Sequence, residues 1–338
     1  MSDVYRHLVK FCSIKLLHIT KNNISKLSDR QLSSKANNLP IIELDQSSFL
    51  SSKSISLYKN YDAVFTCKTL PNSNLINRIS TKRPLIVSLY MGIDFYPVTG
   101  FLNRLSSDIA CLNNKKDIDL FNKCFSNDEY KLPALIHYNP KFHYQNFKFY
   151  NLSSVNKSNI KTIYFFSQAI IPFSINARLH ILHLLIRLAN KHKDKKIIFK
   201  LRNLDGENSK HVHTEHYPYQ FLAHNIKLPS NFSFSSEEMS SVLENADLCI
   251  TCSSTAGMET LLNNIPTLFY FNYPEEIDNL AMNSSYNIFK ESNLCVNYTD
   301  ILNLNIPDIN KEWLYDFVSS DYNLKDLLSY IKSFKLKF

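Results

Sequence analysis

Along this chain, short apolar runs alternate with segments whose apolar positions recur every three or four residues. Runs of the first kind read as buried strands, and segments of the second kind as helices with one face turned inward. In the first half, KLLHIT (Lys15 to Thr20), AVFTC (Ala63 to Cys67), LIVSL (Leu85 to Leu89) and IACL (Ile109 to Leu112) are strand candidates. Their spacings leave room for connecting helices, and DIDLFNK (Asp117 to Lys123) begins one. From about Lys141 to Asn159 a Tyr-, Asn- and Ser-rich stretch has no period and reads as a linker.

The second half repeats the alternation. TIYFF (Thr162 to Phe166) predicts a strand, Asn176 to Lys191 a helix with Leu179, Leu182, Leu185, Ile186 and Ala189 in register, and KIIFKL (Lys196 to Leu201) a strand. Ser235 and Glu238 form an S-x-x-E capping box for a helix running to about Asn245. DLCIT (Asp247 to Thr251), the helix Ala256 to Leu262 and PTLFYF (Pro266 to Phe271) follow. This order predicts an α/β protein with doubly wound parallel sheets. We expect domains at 1–155 and 156–320 facing a central cleft, the usual place for a ligand. The last segment, 321–338, is basic and amphipathic over Leu324 to Phe338; it is expected to pack back across the two domains, with a membrane-surface contact as the other reading.

Composition changes this picture in three places. A length of 338 residues exceeds what one hydrophobic core usually serves, which agrees with two domains. The net charge of +8, from 38 Lys and Arg against 30 Asp and Glu, suits an anionic ligand, a nucleic acid or an anionic membrane, and equally a solvated basic surface. Basic stretches interleaved with aromatics in a nucleic-acid module are lacking, so no nucleic-acid partner is expected. The seven cysteines follow no repeated spacing, which argues for a reducing compartment. Their single CxxC, Cys249 and Cys252, lies in an apolar run and reads as strand-borne structural thiols. With no leader pattern and no apolar run of about 18 residues, a cytoplasmic protein is expected.

The stretch CSSTAGME (Cys252 to Glu259) holds one of only four glycines, where average usage of about 7% would place roughly two dozen. A strand ends here and a helix begins, so Ser253, Ser254 and Thr255 present hydroxyls and, on this reading, unpaired backbone N–H groups to an anion. Gly257 in the first helical turn implies close approach of backbone or ligand, and Glu259 sits one turn on, placed to reach a ribose. Simple helix capping by the hydroxyls accounts for the same residues equally well. G-x-S-x-G is absent and no Lys follows the Gly, which excludes a serine hydrolase elbow and a P-loop.

The segment ENADLCITCSSTAGMETLLNNIPTLFYF resembles the nucleotide-binding half of bacterial GT-B glycosyltransferases, with Asn263 and Asn264 in place of the usual Gly before Pro266. Asn is the next-best residue at a left-handed helix stop. Ser88 to Asp119, Phe165 to Pro172 and Lys200 to Leu222 are similar to blocks of a family of bacterial glycosyltransferases of polysaccharide loci, and the four glycines all fall inside such blocks. That family includes transferases of nonulosonic acids of the pseudaminic or sialic type, which use CMP-activated donors.

The resemblance implies a GT-B fold of two Rossmann-like domains, a CMP-sugar donor, a capsule or lipopolysaccharide glycan acceptor and no metal. Peripheral contact with the inner membrane stays open. A UDP- or GDP-hexose transferase, and a non-catalytic nucleotide- or glycan-binding protein, are the alternatives. Asp94, after the LIVSL strand, is the candidate general base, with Glu207 and His213 as further catalytic candidates. Lys200 and Arg202, leaving a strand end, would hold phosphate and carboxylate, joined by Glu215, Tyr219, Ser253, Ser254, Thr255, Gly257 and Glu259 at the donor. HVHTEH (His211 to His216) next to Glu207 could alternatively hold a metal, which the resemblance does not favour. Arg104 and Asp108 are spaced to form an i, i+4 helix pair.

Overall fold

The computed structural model describes residues 13, 16–20, 41–45, 60–67, 83–90, 92–93, 96–126, 132–144, 147–148, 156–202, 215–274 and 280–335. In chain order the elements are β1 (Leu16–Thr20), β2 (Ile41–Asp45), β3 (Ala63–Thr66), β4 (Leu85–Ser88), α1 (Pro97–Leu102), β5 (Ile109–Leu112), α2 (Lys115–Cys124) and β6 (Ala134–His137). They continue with β7 (Thr162–Phe166), α3 (Ile175–Lys191), β8 (Lys196–Lys200), α4 (Tyr219–Ala223), β9 (Phe232–Ser235), α5 (Met239–Asn245), β10 (Leu248–Thr251) and α6 (Thr255–Leu262). The chain closes with β11 (Thr267–Tyr270), α7 (Leu280–Phe289), β12 (Cys295–Val296), α8 (Tyr298–Asn303), α9 (Lys311–Phe317) and α10 (Asp321–Lys335). Two compact units result, one of residues 1–146 with 316–338 and the other of 147–315.

In the first unit β3, β4, β5 and β6 form a parallel sheet in sequence order, and β1 pairs parallel with β2. Leu85, Val87, Ile109 and Cys111 turn to one face and bury Leu324, Leu327 and Leu328 of α10. Ala110 and Leu112 turn to the other, against Phe101 of α1 and Phe121 of α2, whose rings meet edge to face at 5.3 Å. Both faces are covered, which is why these strands read as continuous apolar runs. The apolar stripe of the C-terminal helix thus lies in the core of the first unit. The start of α10 is tied there by His143 Nε2 and Asp321, 3.0 Å apart.

Arg104 and Asp108 do not pair. Residues 103–108 are turns, so the helical spacing that would join them is missing. Asp108 instead accepts both guanidinium nitrogens of Arg83, at 2.6 and 2.7 Å, and the Ile86 N–H at 2.8 Å. Arg104 lies over the Tyr90 ring at 3.4 Å and donates to the Gly100 carbonyl at 2.8 Å.

The second unit is a six-stranded parallel sheet in the order β9-β8-β7-β10-β11-β12. This is the doubly wound order 3-2-1-4-5-6, which reverses between its first and fourth strands, here β7 and β10. α3 buries Ala177, Ile181, Leu182, Leu185, Leu188 and Ala189 against the face carrying Ile163, Phe165, Leu248 and Ile250. The opposite face, Tyr164, Phe166 and Cys249, takes Val242 of α5 and Ala256 of α6. Cys249 and Cys252 are buried and in no disulfide, as their apolar setting predicts.

α6 stops as the Asn pair predicts. Asn264 adopts φ 60°, its N–H bonds the Leu261 carbonyl at 2.9 Å, and the Ile265 N–H bonds the Thr260 carbonyl at 3.0 Å. These two bonds make a Schellman closure with Asn where Gly is usual.

Candidate active site at the sheet reversal

β7 and β10 are neighbours, but their following helices leave on opposite faces of the sheet. The loops after them therefore part at the carboxyl edge, and doubly wound sheets bind ligands at such a reversal. The residues meeting there are Gln168, after β7, and Ser253, after β10. Gln168 Oε1 accepts the Ser253 N–H at 2.8 Å, and its Nε2 donates to Ser253 Oγ at 3.1 Å. Ser253 is fully buried.

The rest of the serine loop is also engaged locally. The Ser254 N–H reaches Thr251 Oγ1 at 3.3 Å, Ser254 Oγ accepts from the Ala256 N–H at 3.2 Å, and the Gly257 N–H bonds the Ser254 carbonyl at 2.9 Å. The sequence reading expected unpaired N–H groups; those of Ser253, Ser254, Ala256 and Gly257 instead have acceptors within the protein. The bonds at 3.2 and 3.3 Å lie at the long end of the normal range. Ser254 and Thr255, at the start of α6, are partly exposed, as is Glu259 one turn on.

Gly257 has a definite cause. A Cβ there would lie 2.9 Å from Thr251 Cγ2 and 3.0 Å from Phe269 Cε1. The helix is pressed against the strands behind it, the role of the third glycine in a dinucleotide-binding turn. The close approach is to the protein's own sheet.

Lys200 ends β8, partly buried, and Arg202 is exposed just beyond it. On the sheet face shared by Lys200 and Tyr164 stands Glu237, a residue that sequence reasoning missed. Its carboxylate accepts Ser241 Oγ at 2.6 Å and Ser235 Oγ at 2.9 Å, and bonds the Tyr164 hydroxyl. Burial alone would push this carboxyl up, but those hydrogen bonds and the Lys200 charge hold it below the usual carboxylate range. The capping box expected of Ser235 and Glu238 is not formed. Ser235 Oγ turns back to the Glu237 N–H at 3.1 Å, and Glu238 itself is the N-cap residue, its side chain making no capping bond to the helix.

Glu215 and Tyr219 converge on a second missed residue, Arg178 of α3, which is 1% exposed. Its guanidinium donates to Glu215 Oε1 at 2.7 Å, the Tyr217 carbonyl at 3.1 Å and the Gln168 carbonyl at 3.0 Å, and also to the Ala169 carbonyl. It lies 4.9 Å from the Tyr219 ring centre, and Tyr219 itself is fully buried against Phe199. Glu215 and Tyr219 therefore brace the loops flanking the reversal. An arginine on the apolar stripe of α3 was the signal that could have revealed it.

Asp94, Glu207 and His213 lie outside the described residues, as does most of HVHTEH. Among the described residues, no group of three or more His, Cys, Asp and Glu could hold a metal ion. No helix among them is long and apolar enough to cross a membrane.

The two parallel sheets wrapped by helices are those of two Rossmann-like domains, and the protein has the GT-B fold. The chain belongs to the family described as "Putative glycosyltransferase (DUF6716)", whose model matches residues 22–331. Among solved structures it is similar to a "putative UDP-N-acetylglucosamine 2-epimerase" from Listeria monocytogenes, with 12% identity, TM-score 0.60, and coverage of 100% of this chain and 93% of that one. It is similar to S. aureus MnaA in a co-structure with UDP, with 11% identity, TM-score 0.57, and coverage of 96% and 97%. It is also similar to MurG of Acinetobacter baumannii, with 12% identity, TM-score 0.51, and coverage of 98% and 94%. Likeness at these identities is one of fold. Among curated proteins, none matches the sequence.

Proposed function

We propose that the protein transfers a nonulosonic acid from a CMP-activated donor to a capsule or lipopolysaccharide glycan. The observation that carries the reading is the meeting of the Gln168 and Ser253 loops at the sheet reversal, beside the N-terminus of α6 and on the edge where Lys200 and Arg202 emerge. Departure of CMP concentrates negative charge on a phosphate, and stabilising that charge is the largest service such a site can supply. The Ser254 and Thr255 hydroxyls and the α6 N-terminus would take the phosphate, displacing the long local bonds of the loop. Lys200 and Arg202 would meet its charge and that of the sugar carboxylate, with Glu237 steadying Lys200. Gln168 and Arg178 hold the loops in place.

Asp94 is proposed as the general base toward the acceptor, with Glu207 and His213 as further catalytic groups and Glu259 toward the ribose. No metal is required on this reading, so turnover should persist in EDTA. A UDP-hexose donor is the second reading, favoured by the likeness to MnaA with UDP. Calorimetric titration with CMP, UDP and GDP separates the two. Binding of CMP alone supports the proposal, and binding of only UDP or GDP overturns it.

A further inference from the structure

On the face of the second sheet covered by α3 and α8, away from α6, a groove of about 530 Å³ is lined by His180, His183, Ile186, Arg187 and Tyr298. Its volume lies within the range of about 300 to 1,000 Å³ typical of small-ligand sites. Its polar groups come from two elements. Arg187 lies 5.8 Å from the Tyr298 ring centre, and the His180 ring stands 5.7 Å from the same ring at 58°. Among the described residues no carboxylate forms an ion pair with Arg187 or His183. The guanidinium of Arg187 thus faces a phenol ring and no described carboxylate.

The proton positions add a direction. A hydroxyl has one proton, and Tyr270 gives its own to the Asn272 carbonyl. At the 2.8 Å contact between His180 Nε2 and the Tyr270 hydroxyl, the imidazole must therefore donate. Burial, with His183 nearby, holds the His180 pKa below its ordinary 6.5, so the ring is neutral near pH 7. With Nε2 donating, Nδ1 of His180 is an acceptor. The groove combines the Arg187 guanidinium with the His180 and His183 imidazoles and a phenol that can give or take a hydrogen bond.

We propose that this groove is a binding site for an acidic sugar, a ligand carrying one carboxylate or phosphate beside free hydroxyls, separate from the site at the sheet reversal. Arg187 and His183 take the anion, and His180 Nδ1 and Tyr298 take hydroxyls. The inference does not depend on the choice of donor nucleotide.

The test follows the histidine ring nitrogens of the full chain by NMR during titration with glucuronate, with inorganic phosphate and with neutral glucose. Saturable shifts at His180 and His183 with glucuronate, with phosphate or with both, and none with glucose, are expected; which anion acts identifies the charged group. Arg187→Gln should weaken that binding roughly tenfold or more, as loss of a charge-assisted bond requires. Tyr298→Phe, which keeps the aromatic wall, should weaken it less. The proposal is overturned if neither anion shifts the rings, or if Arg187→Gln binds as well as the wild type. Calorimetry of Arg187→Gln with CMP, UDP and GDP should match the wild type. A parallel loss there would assign the groove to the donor site and overturn the claim of a separate one.

Discussion

Gln168 and Ser253 are joined twice across the reversal of the second sheet, by a 2.8 Å bond to the Ser253 backbone and a 3.1 Å bond to its hydroxyl. One amide side chain thus closes the gap that the diverging loops after β7 and β10 would leave. The bond to the backbone is the more important, because it satisfies a buried N–H that no local turn can reach.

Gln168→Ala should cost about 1 to 3 kcal/mol, the penalty of an orphaned buried donor. Gln168→Glu keeps the acceptor but places a negative charge beside the proposed phosphate. It should leave the fold standing and weaken nucleotide binding roughly tenfold or more. Thermal melts and calorimetry read the two effects separately, and unchanged nucleotide affinity in Gln168→Glu would move the phosphate away from this loop.

Gly257→Ala sets a helix-propensity gain of about 1 kcal/mol against overpacking of about 1 to 3 kcal/mol. With contacts of 2.9 and 3.0 Å to Thr251 and Phe269, overpacking should win. Adding Thr251→Ser removes the nearer methyl and should recover part of the loss. Urea titrations of the single and double variants measure both.

Glu215→Gln breaks a 2.7 Å ion pair and leaves the buried Arg178 charge uncompensated. Such losses run to about 3 to 5 kcal/mol, and the partial exposure of Glu215 places this one near the lower end. Replacing the pair by Arg178→Met with Glu215→Leu should restore only part of the stability, because the carbonyls of Gln168, Ala169 and Tyr217 also lose their donor. A double-mutant cycle by chemical denaturation gives the coupling.

Burial holds His137, His143 and His180 below their ordinary 6.5, with Asp316 and Asp321 opposing the shift at the first two. The unfolded chain therefore binds protons more readily than the folded one. Stability is full above about pH 6.5 and falls as the pH drops through that value toward the lower folded-state values. His137→Gln, which cannot titrate there, should flatten the dependence between pH 7.5 and 5.5 in guanidinium titrations.

Burial drives the thiols of Cys111 and Cys249 far above their ordinary range and that of Cys295 up to about 12, whereas Cys124 is exposed. Thiolates are the reactive form, so a native-state pulse of iodoacetamide should label Cys124 long before the other three. Peptide mass spectrometry checks the order.

The strands β7, β8 and β10 and the α3 helix were legible because their apolar runs are largely buried or form one continuous stripe. Short edge strands were not. Cys295–Val296 and Phe232–Ser235 are held by pairing with β11 and β8, and two residues, or one short alternation of Phe and Ser, are too brief a pattern to mark a strand without that pairing. Asn264 was readable as a helix stop, because only a residue that tolerates φ near 60° closes that motif.

The serine loop shows where sequence reasoning ends. Residue types and spacing alone determined that a strand stops at Thr251, that a helix is under way by Ala256, one residue after its start at Thr255, and that Gly257 must face something close. Tertiary structure alone decided what that something is, and where the loop's hydrogen bonds go. The backbone after β10 meets Gln168, 85 positions away in the chain, only because the sheet order reverses between β7 and β10. Arg178 and Glu237 belong with it for the same reason. Their partners are assembled by parallel strand pairing, and a pairing between distant segments leaves no period in the sequence of either one.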